Sequence, residues 1–210
     1  MHIQYSQIID ISLPLNEQTV VYPGNPAIEI EELKSESSKS VISKITLGSH
    51  TGTHLDAPKH VIDGGGGVGI YPLSAFIGPC KVIDCTHEDK SVTTDTICNL
   101  DIVEEDRVLL KTKNSLRGFQ TFYDDFIFLS PEAALYLAEK KVSLVGIDYF
   151  SIKQKGSADN RPHTLLLEKQ IPILEAVNLA DVEAGEYALV ALPMRFDELD
   201  GTPVRAVLLK

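Results

Sequence analysis

Half of the six histidines in this 210-residue chain fall inside one short run, SHTGTHLDAPKH at positions 49–60. His50, His54, Asp56 and His60 are separated by even numbers of residues. On a helix, at about 100° per residue, Asp56 would swing about 240° away from His50, whereas in an extended chain even offsets share a side. Gly52, the β-branched Thr51 and Thr53, and Pro58 also weigh against a helix. The run therefore predicts His50, His54 and Asp56 projecting to one side of an extended or irregular segment that continues from the strand VISKITLG. Pro58 ends any ladder there and leaves His60 on a turn.

The chemistry of such a group is divalent-metal binding, because neutral imidazole nitrogens and a carboxylate are ligands that zinc, manganese and iron accept. One histidine alone is more often a hydrogen-bonded structural residue. Three crowded imidazoles are costly near their pKa unless something compensates them, and a cation does so. A small-molecule site is also assembled from distant parts of a chain, and two later positions stand out. His163, in RPHTLLLEK, opens a predicted helix, and Glu175 is the sole charge in the apolar run IPILEAVNL. A carboxylate on the buried side of a strand is expensive unless paired or metal-bound. On a half-exposed strand it would simply face solvent.

The elements that must position these side chains are mainly strands. QIIDISL, AIEIEEL and VISKITLGSH read with a two-residue period. GPCKVIDCT, DRVLLKT, VSLVGIDYF, IPILEAVNL, EYALVALPM and VRAVLL add six more, several apolar throughout and so suited to burial on both faces. The clearest helix is SPEAALYLAEKK, where Ser130 can cap and Pro131 fits the first helical position. HTLLLEKQ gives a second and TTDTICNL a third. About nine strand signals against two or three helices make the sheet the scaffold of a mixed, sheet-dominated α/β fold. No repeat, low-complexity linker or composition break divides residues 1–210, so one domain is expected.

Hydrophobic content of 43% and charged content of 23% are those of an ordinary globular chain. A net charge of −11 repels phosphate backbones and anionic membranes, excluding nucleic acid and membrane surfaces as partners. No signal-like leader or long apolar span is read at the start, and a cytoplasmic location is expected. Cys80, Cys85 and Cys98, an odd count with no CxxC pair, are expected to be reduced, buried thiols.

HTGTHLDAPKH, followed about a hundred residues later by HTLLLEKQIPILEAVNL, resembles the cyclase-family metal hydrolases, whose best-described members are bacterial kynurenine formamidases. YPG near the start, GID before the second motif and DGTPVRAVLL at the end extend the resemblance over nearly the whole chain. It implies a swivelling β/β/α-type single domain with a mixed sheet and two to four helices, assembled as a dimer or tetramer. It also implies that His50, His54 and Asp56 hold a first metal, that Asp56 and Glu175 are shared with a second metal completed by His163, and that His60 is the catalytic acid/base. Zinc, one or two per chain, is the implied cofactor, with manganese possible. A bridging water between two cations, its pKa lowered toward about 7, would be the nucleophile. The implied substrate is a small aryl formamide of the N-formylkynurenine type, from tryptophan catabolism.

Two departures bear on that substrate. Those formamidases usually place Trp before the Pro-Gly pair, where it can stack on an aromatic substrate; this chain has no Trp and offers Tyr22. After GID they tend to show a serine and then an acid two residues on, whereas this chain has Ser151 and Lys153, which favours a more anionic substrate if the lysine points inward. A cyclic-amide hydrolase of the isatin-opening kind, often using manganese, and a non-catalytic metal or small-molecule binding protein are the competing classes.

GGGGVG at 64–69 matches GxGxxG in form only, lacking the strand, helix and acid of a dinucleotide site. It is read instead as a flexible loop beside the site, either able to close over a substrate or a plain surface loop. Arg195 and Arg205 flank FDELDGTPV and are read as a subunit contact or as holding a substrate carboxylate. His2 and His87 lack ligand-type neighbours and are expected to be solvated.

Overall fold

The protein is described by a computed structural model over residues 5–34 and 40–210; His2 lies outside the described residues. Its strands are β1 (Ile8–Asp10), β2 (Glu29–Lys34), β3 (Val41–Thr46), β4 (His54–Asp56), β5 (Ile77–Asp84), β6 (Ser91–Val92), β7 (Arg107–Lys111), β8 (Phe128–Leu129), β9 (Leu144–Ile147), β10 (Ile173–Glu175), β11 (Gly185–Val190), β12 (Gly201–Pro203) and β13 (Val207–Leu209). The helices are α1 (Thr94–Ile97), α2 (Lys113–Arg117), α3 (Pro131–Glu139) and α4 (Arg161–Leu167). Every strand anticipated from alternation is present, and the three anticipated helices are α1, α3 and α4.

Nine strands form one mixed sheet in the order β1-β13-β11-β5-β7-β9-β10-β4-β12. β5, β7, β9 and β10 run parallel, with antiparallel neighbours on both flanks. The central strands are apolar in succession because both faces are covered. On β7, Val108 and Leu110 pack with Ala134 and Leu137 of α3 and Leu166 of α4. Leu109 points the other way, into a second core with Leu55, Tyr71, Phe76 and Leu174.

Helix ends follow local chemistry. The Ser130 hydroxyl accepts from the Ala133 backbone at 3.1 Å and caps α3, with Pro131 in its first turn. The short α2 was not anticipated, because its start is fixed by a tertiary contact. Buried Asp148 accepts from the Thr112 backbone at 2.9 Å, the Thr112 hydroxyl at 2.7 Å and the Ser115 backbone at 3.1 Å. Three donors on one carboxylate oxygen pair tie the GID turn to that helix.

The histidine run is less continuous than its spacing suggested. β3 ends at Thr46, and it pairs only with β2 in a separate hairpin. Residues Ser49 and His50 form a turn, Gly52 takes a left-handed φ of 59°, and only His54–Asp56 is strand. β4 is thus an independent strand, inserted between β10 and β12. His60 sits on a single 3-10 turn, Pro58–His60.

The glycine loop corrects an expectation. It is not open: Lys59 N donates to Gly66 O at 3.0 Å, Gly65 N to Ile62 O at 2.9 Å, and Val68 N to Leu199 O at 2.9 Å. A Cβ on Gly65 would lie 2.7 Å from the Pro58 carbonyl carbon, and one on Gly67 2.5 Å from the Asp197 carbonyl oxygen. The glycines allow backbone to pack on backbone, clamping the His60 turn against the 197–199 turn. Cys80 and Cys85 are buried, and burial pushes both thiols up. Cys98 is exposed, contrary to expectation, because the short α1 turns it outward at the helix end. His87 is solvated, with its side chain 66% exposed.

The clamp is testable by chemical denaturation. Gly67→Ala is expected to lower stability by about 1–3 kcal/mol, since rigid backbone must move. Gly66→Ala, whose added methyl meets only the Ile70 side chain, is expected to cost less. Equal losses would show that backbone contact is not what fixes the loop.

Candidate metal centre

Sheet register brings the polar group together. Glu175 on β10 pairs directly with His54 on β4, and Asp56 lies two residues along the same strand face. His163, in the first turn of α4, reaches the same spot. All four are buried, with Asp56 at 0% and Glu175 at 3% exposure. Glu175 therefore faces inward, which removes the solvent-facing alternative.

Each carboxylate divides its two oxygens between two histidines. Asp56 Oδ1 lies 3.4 Å from His54 Nε2 and its Oδ2 lies 3.7 Å from His163 Nε2. Glu175 Oε2 lies 3.5 Å from His54 Nε2 and its Oε1 lies 3.4 Å from His163 Nε2. His50 adds Nδ1 at 2.8 Å from Asp56 Oδ1. His60, with a side chain 33% exposed, has its ring centroid 4.1 Å from that of His50 and 5.5 Å from that of His163. Orientation is set from behind: His54 Nδ1 lies 2.8 Å from the Gly52 carbonyl, and the Ile152 backbone N–H donates to Glu175 Oε1 at 2.6 Å. Thr53, on the opposite face, bonds the Ala176 carbonyl at 2.6 Å and receives Leu13 N at 2.9 Å, holding β4 and the end of β10 together.

The donor set fits a divalent cation. His54 donates Nδ1–H to Gly52, so its Nε2 presents a lone pair to two carboxylates, and both His54 Nε2 and Asp56 Oδ2 are buried without a hydrogen-bond partner. Lone pairs facing one another in a dry site need a positive charge between them. Ligand atoms held about 2.1 Å from a common zinc stand about 3–3.4 Å apart, and the spacings here, 2.8–3.7 Å, bracket that range. The sets His50–His54–Asp56 and Asp56–His60–His163 each offer ligand atoms within 4.8 Å of one another.

Electrostatics agree. Burial disfavours a charged His54, but Asp56 and Glu175 outweigh it and raise its pKa from 6.5 to about 10. His50 is raised in the same way, burial being overcome mainly by Asp56. Burial opposes ionisation of Asp56, yet His50 and His54 hold it well below the usual carboxylate range. Burial, aided by His50 and His163, lowers His60.

Tyr22, Asn25, Phe150, Ser151, Lys153 and Asn160 join the cluster around a cavity of about 360 Å³. Tyr22 is half-buried and packs edge-on to Phe122 at 5.2 Å. Lys153 lines the cavity. Arg195 and Arg205 do not; Arg205 pairs with Asp10 and Arg195 is 91% exposed beside Asp197. A larger cavity of about 570 Å³, near Pro72 and Ile171, holds none of the clustered side chains. Asp200, absent from the sequence-based set, lies 2.9 Å from His50 Nε2.

Fold and site define a sheet-based metal-binding protein of the histidine–carboxylate class, and the chain belongs to the Cyclase family, whose model matches residues 9–154. It is 36% identical to the kynurenine formamidase of Bacillus cytotoxicus over 97% of both chains, and 36% identical to that of Salinibacter ruber over 96% of both. Among solved structures it resembles a "Potential Metal-Dependent Hydrolase With Cyclase Activity" (TM-score 0.86, 36% identity, 96% of both chains). It also resembles isatin hydrolase A of Labrenzia aggregata bound to benzyl benzoate, with TM-score 0.84 and 26% identity over 97% of this chain and 93% of that one.

The raised His54 pKa gives a measurable linkage. At pH 7 the cation-free ring is protonated, and a cation must displace that proton to reach Nε2. Calorimetric titration with Zn²⁺ in buffers of different ionisation enthalpy is expected to show release of about one proton or more per chain, with affinity rising from pH 6 to 9. His54→Ala is expected to lose the metal. Stoichiometric metal in that variant would remove His54 from the ligand set.

Proposed function

We propose that this chain is a metal-dependent hydrolase that cleaves the amide bond of a small aryl formamide, of the N-formylkynurenine kind. The observation that carries the reading is the splitting of Asp56 and Glu175 between His54 on one side and His163 on the other. We assign His50, His54 and Asp56 to one cation, and His163 with the shared Asp56 and Glu175 to a second. Zinc suits the mixed imidazole and carboxylate donors, and manganese accepts the same set. Bound there, a divalent cation would supply Lewis-acid chemistry, acidifying water toward about 7 and polarising the amide carbonyl.

The remaining work falls to the chain. His60 is set beside the cluster, and partial burial together with His50 and His163 lowers its pKa and so favours the neutral ring, whose free nitrogen can take a proton from the attacking water and deliver it to the leaving nitrogen. One water is consumed, the carbon–nitrogen bond breaks, and formate and the aryl amine leave. Tyr22 and Phe150 offer aromatic surface to the ring, and Lys153 offers an ammonium to a substrate carboxylate. We place the whole chain in one hydrolase domain. Its exposed β2–β3 hairpin carries the cross-strand pair Ile30 and Ile45 on one face and Leu33 and Ile42 on the other, all 41–65% exposed, apolar surface suited to a dimer or tetramer contact. Three free cysteines accord with the cytoplasm. Among the described residues no helix is long and apolar enough to cross a membrane.

A second reading, ring opening of a cyclic amide, draws on the likeness to isatin hydrolase A. The two separate in a hydrolysis panel of N-formyl aryl amines, isatin and cyclic imides, where the formyl amines are expected to turn over fastest. His60→Ala is expected to retain metal while turnover falls by about 10²–10⁴-fold. Unchanged turnover would remove His60 from the mechanism, and metal binding with no hydrolysis across the panel would support a binding protein. Lys153→Glu is expected to raise KM for a carboxylate-bearing formanilide well above its effect on formanilide itself. Equal changes would exclude the lysine from substrate recognition.

A further inference from the structure

His50 lies between two carboxylates. Its Nδ1 is 2.8 Å from Asp56 Oδ1, inside the cluster, and its Nε2 is 2.9 Å from Asp200 Oδ2, outside it. A neutral imidazole carries one N–H, so whichever carboxylate receives that hydrogen decides which nitrogen is free. Asp56 Oδ1 also faces His54 Nε2 at 3.4 Å, so the Nδ1 side is where donor atoms converge.

We infer that Asp200 is a positioning residue for the metal centre: by accepting the Nε2–H of His50, it fixes the tautomer whose Nδ1 lone pair faces the cation. This rests on the metal centre proposed above. It mirrors His54, whose Nδ1–H is held by the Gly52 carbonyl so that Nε2 is free. Two ligands of one cation thus use opposite ring nitrogens, each selected by what the other nitrogen donates to.

The fold holds Asp200 in register for this task. Its carbonyl accepts Ala57 N at 2.9 Å, and the next residue, Gly201, pairs with Asp56 across β12 and β4. A Cβ on Gly201 would lie 2.7 Å from His50 Cε1, so only glycine lets the ring lie against this strand. The Ser49 hydroxyl hydrogen-bonds the same carboxylate. His60 Nδ1 stands 4.0 Å from Asp200 Oδ2, beyond hydrogen-bond reach, so the short contact is to His50. The competing arrangement makes Asp200 itself a ligand, together with His50 and His60.

The test is Zn²⁺ affinity by chelator competition for the full-length wild type, Asp200→Ala and Asp200→Asn, with zinc counted at saturation and the His50 ring followed by ¹⁵N-resolved NMR. Asp200→Ala is expected to bind zinc about 10–100-fold more weakly, as loss of a ligand's hydrogen-bond partner does, with the same number of ions at saturation. Asp200→Asn, whose amide oxygen still accepts the Nε2–H, is expected to recover most of that loss. Zinc-loaded wild type is expected to show His50 protonated at Nε2, a signal broadened by exchange in Asp200→Ala. Unchanged affinity in Asp200→Ala would overturn the inference alone. Loss of one zinc per chain in both variants would overturn it in favour of ligation by Asp200, and a wild type that binds no zinc would overturn the metal centre along with it.

Discussion

Two carboxylates with almost no solvent contact, Asp56 and Glu175, face imidazole nitrogens across gaps of 3.4–3.7 Å. An unpaired charge in a dry interior is prohibitively costly, so positive charge has to occupy the space among these groups. Protons can supply it, which is why His54 would hold one up to about 10. Divalent cations supply more of it from a smaller volume, and they also satisfy His54 Nε2 and Asp56 Oδ2, which protein groups leave without hydrogen bonds.

Precision comes from the sheet. β4 contributes His54 and Asp56 on one face because strand side chains alternate, and β10 and β12 bracket it in fixed antiparallel register. A slip of one residue would send the whole set to the opposite face, where Leu55 now fills the core at 0% exposure. The same residues that anchor the hydrophobic core therefore fix which side chains meet. Thr53 extends the constraint, joining Leu13 and Ala176 through one hydroxyl.

Alternation and turn residues made the strands legible, and capping chemistry made α3 legible, because those signals are local. The metal cluster was legible in part for the same reason: His50, His54, Asp56 and His60 occur together in the chain. Their positioning was not. The even spacing suggested an extended or irregular segment continuing from β3, but Gly52 interposes a left-handed turn, and β4 joins a different sheet from β3. Asp200 carried no chemical signature in FDELDGTPV, since its partner is 150 positions away. The readable trace was Gly201, a glycine within a strand, which marks close approach of another group. The glycine run after His60 carried the same mark, and its freedom serves tight packing rather than motion.

Charge balance links the centre to its cavity. Asp56 and Glu175 match one divalent cation charge for charge, and neutral imidazoles add donors without adding charge. A second divalent cation would leave two positive charges in a site whose remaining carboxylate, Asp200, is engaged with His50 and part-exposed. Lys153 adds a further positive charge to the cavity wall. Attraction for an anion then grows with cation loading, although the protein as a whole carries a net charge of −11. Screening over about 8–10 Å at physiological salt confines the repulsion from that distant surface charge, so the local field at the cavity decides which substrates enter. The proposed substrate, an aryl amide that bears a carboxylate, answers both features: Tyr22 and Phe150 line the cavity as aromatic surface, and its charge would offset part of what a second cation brings.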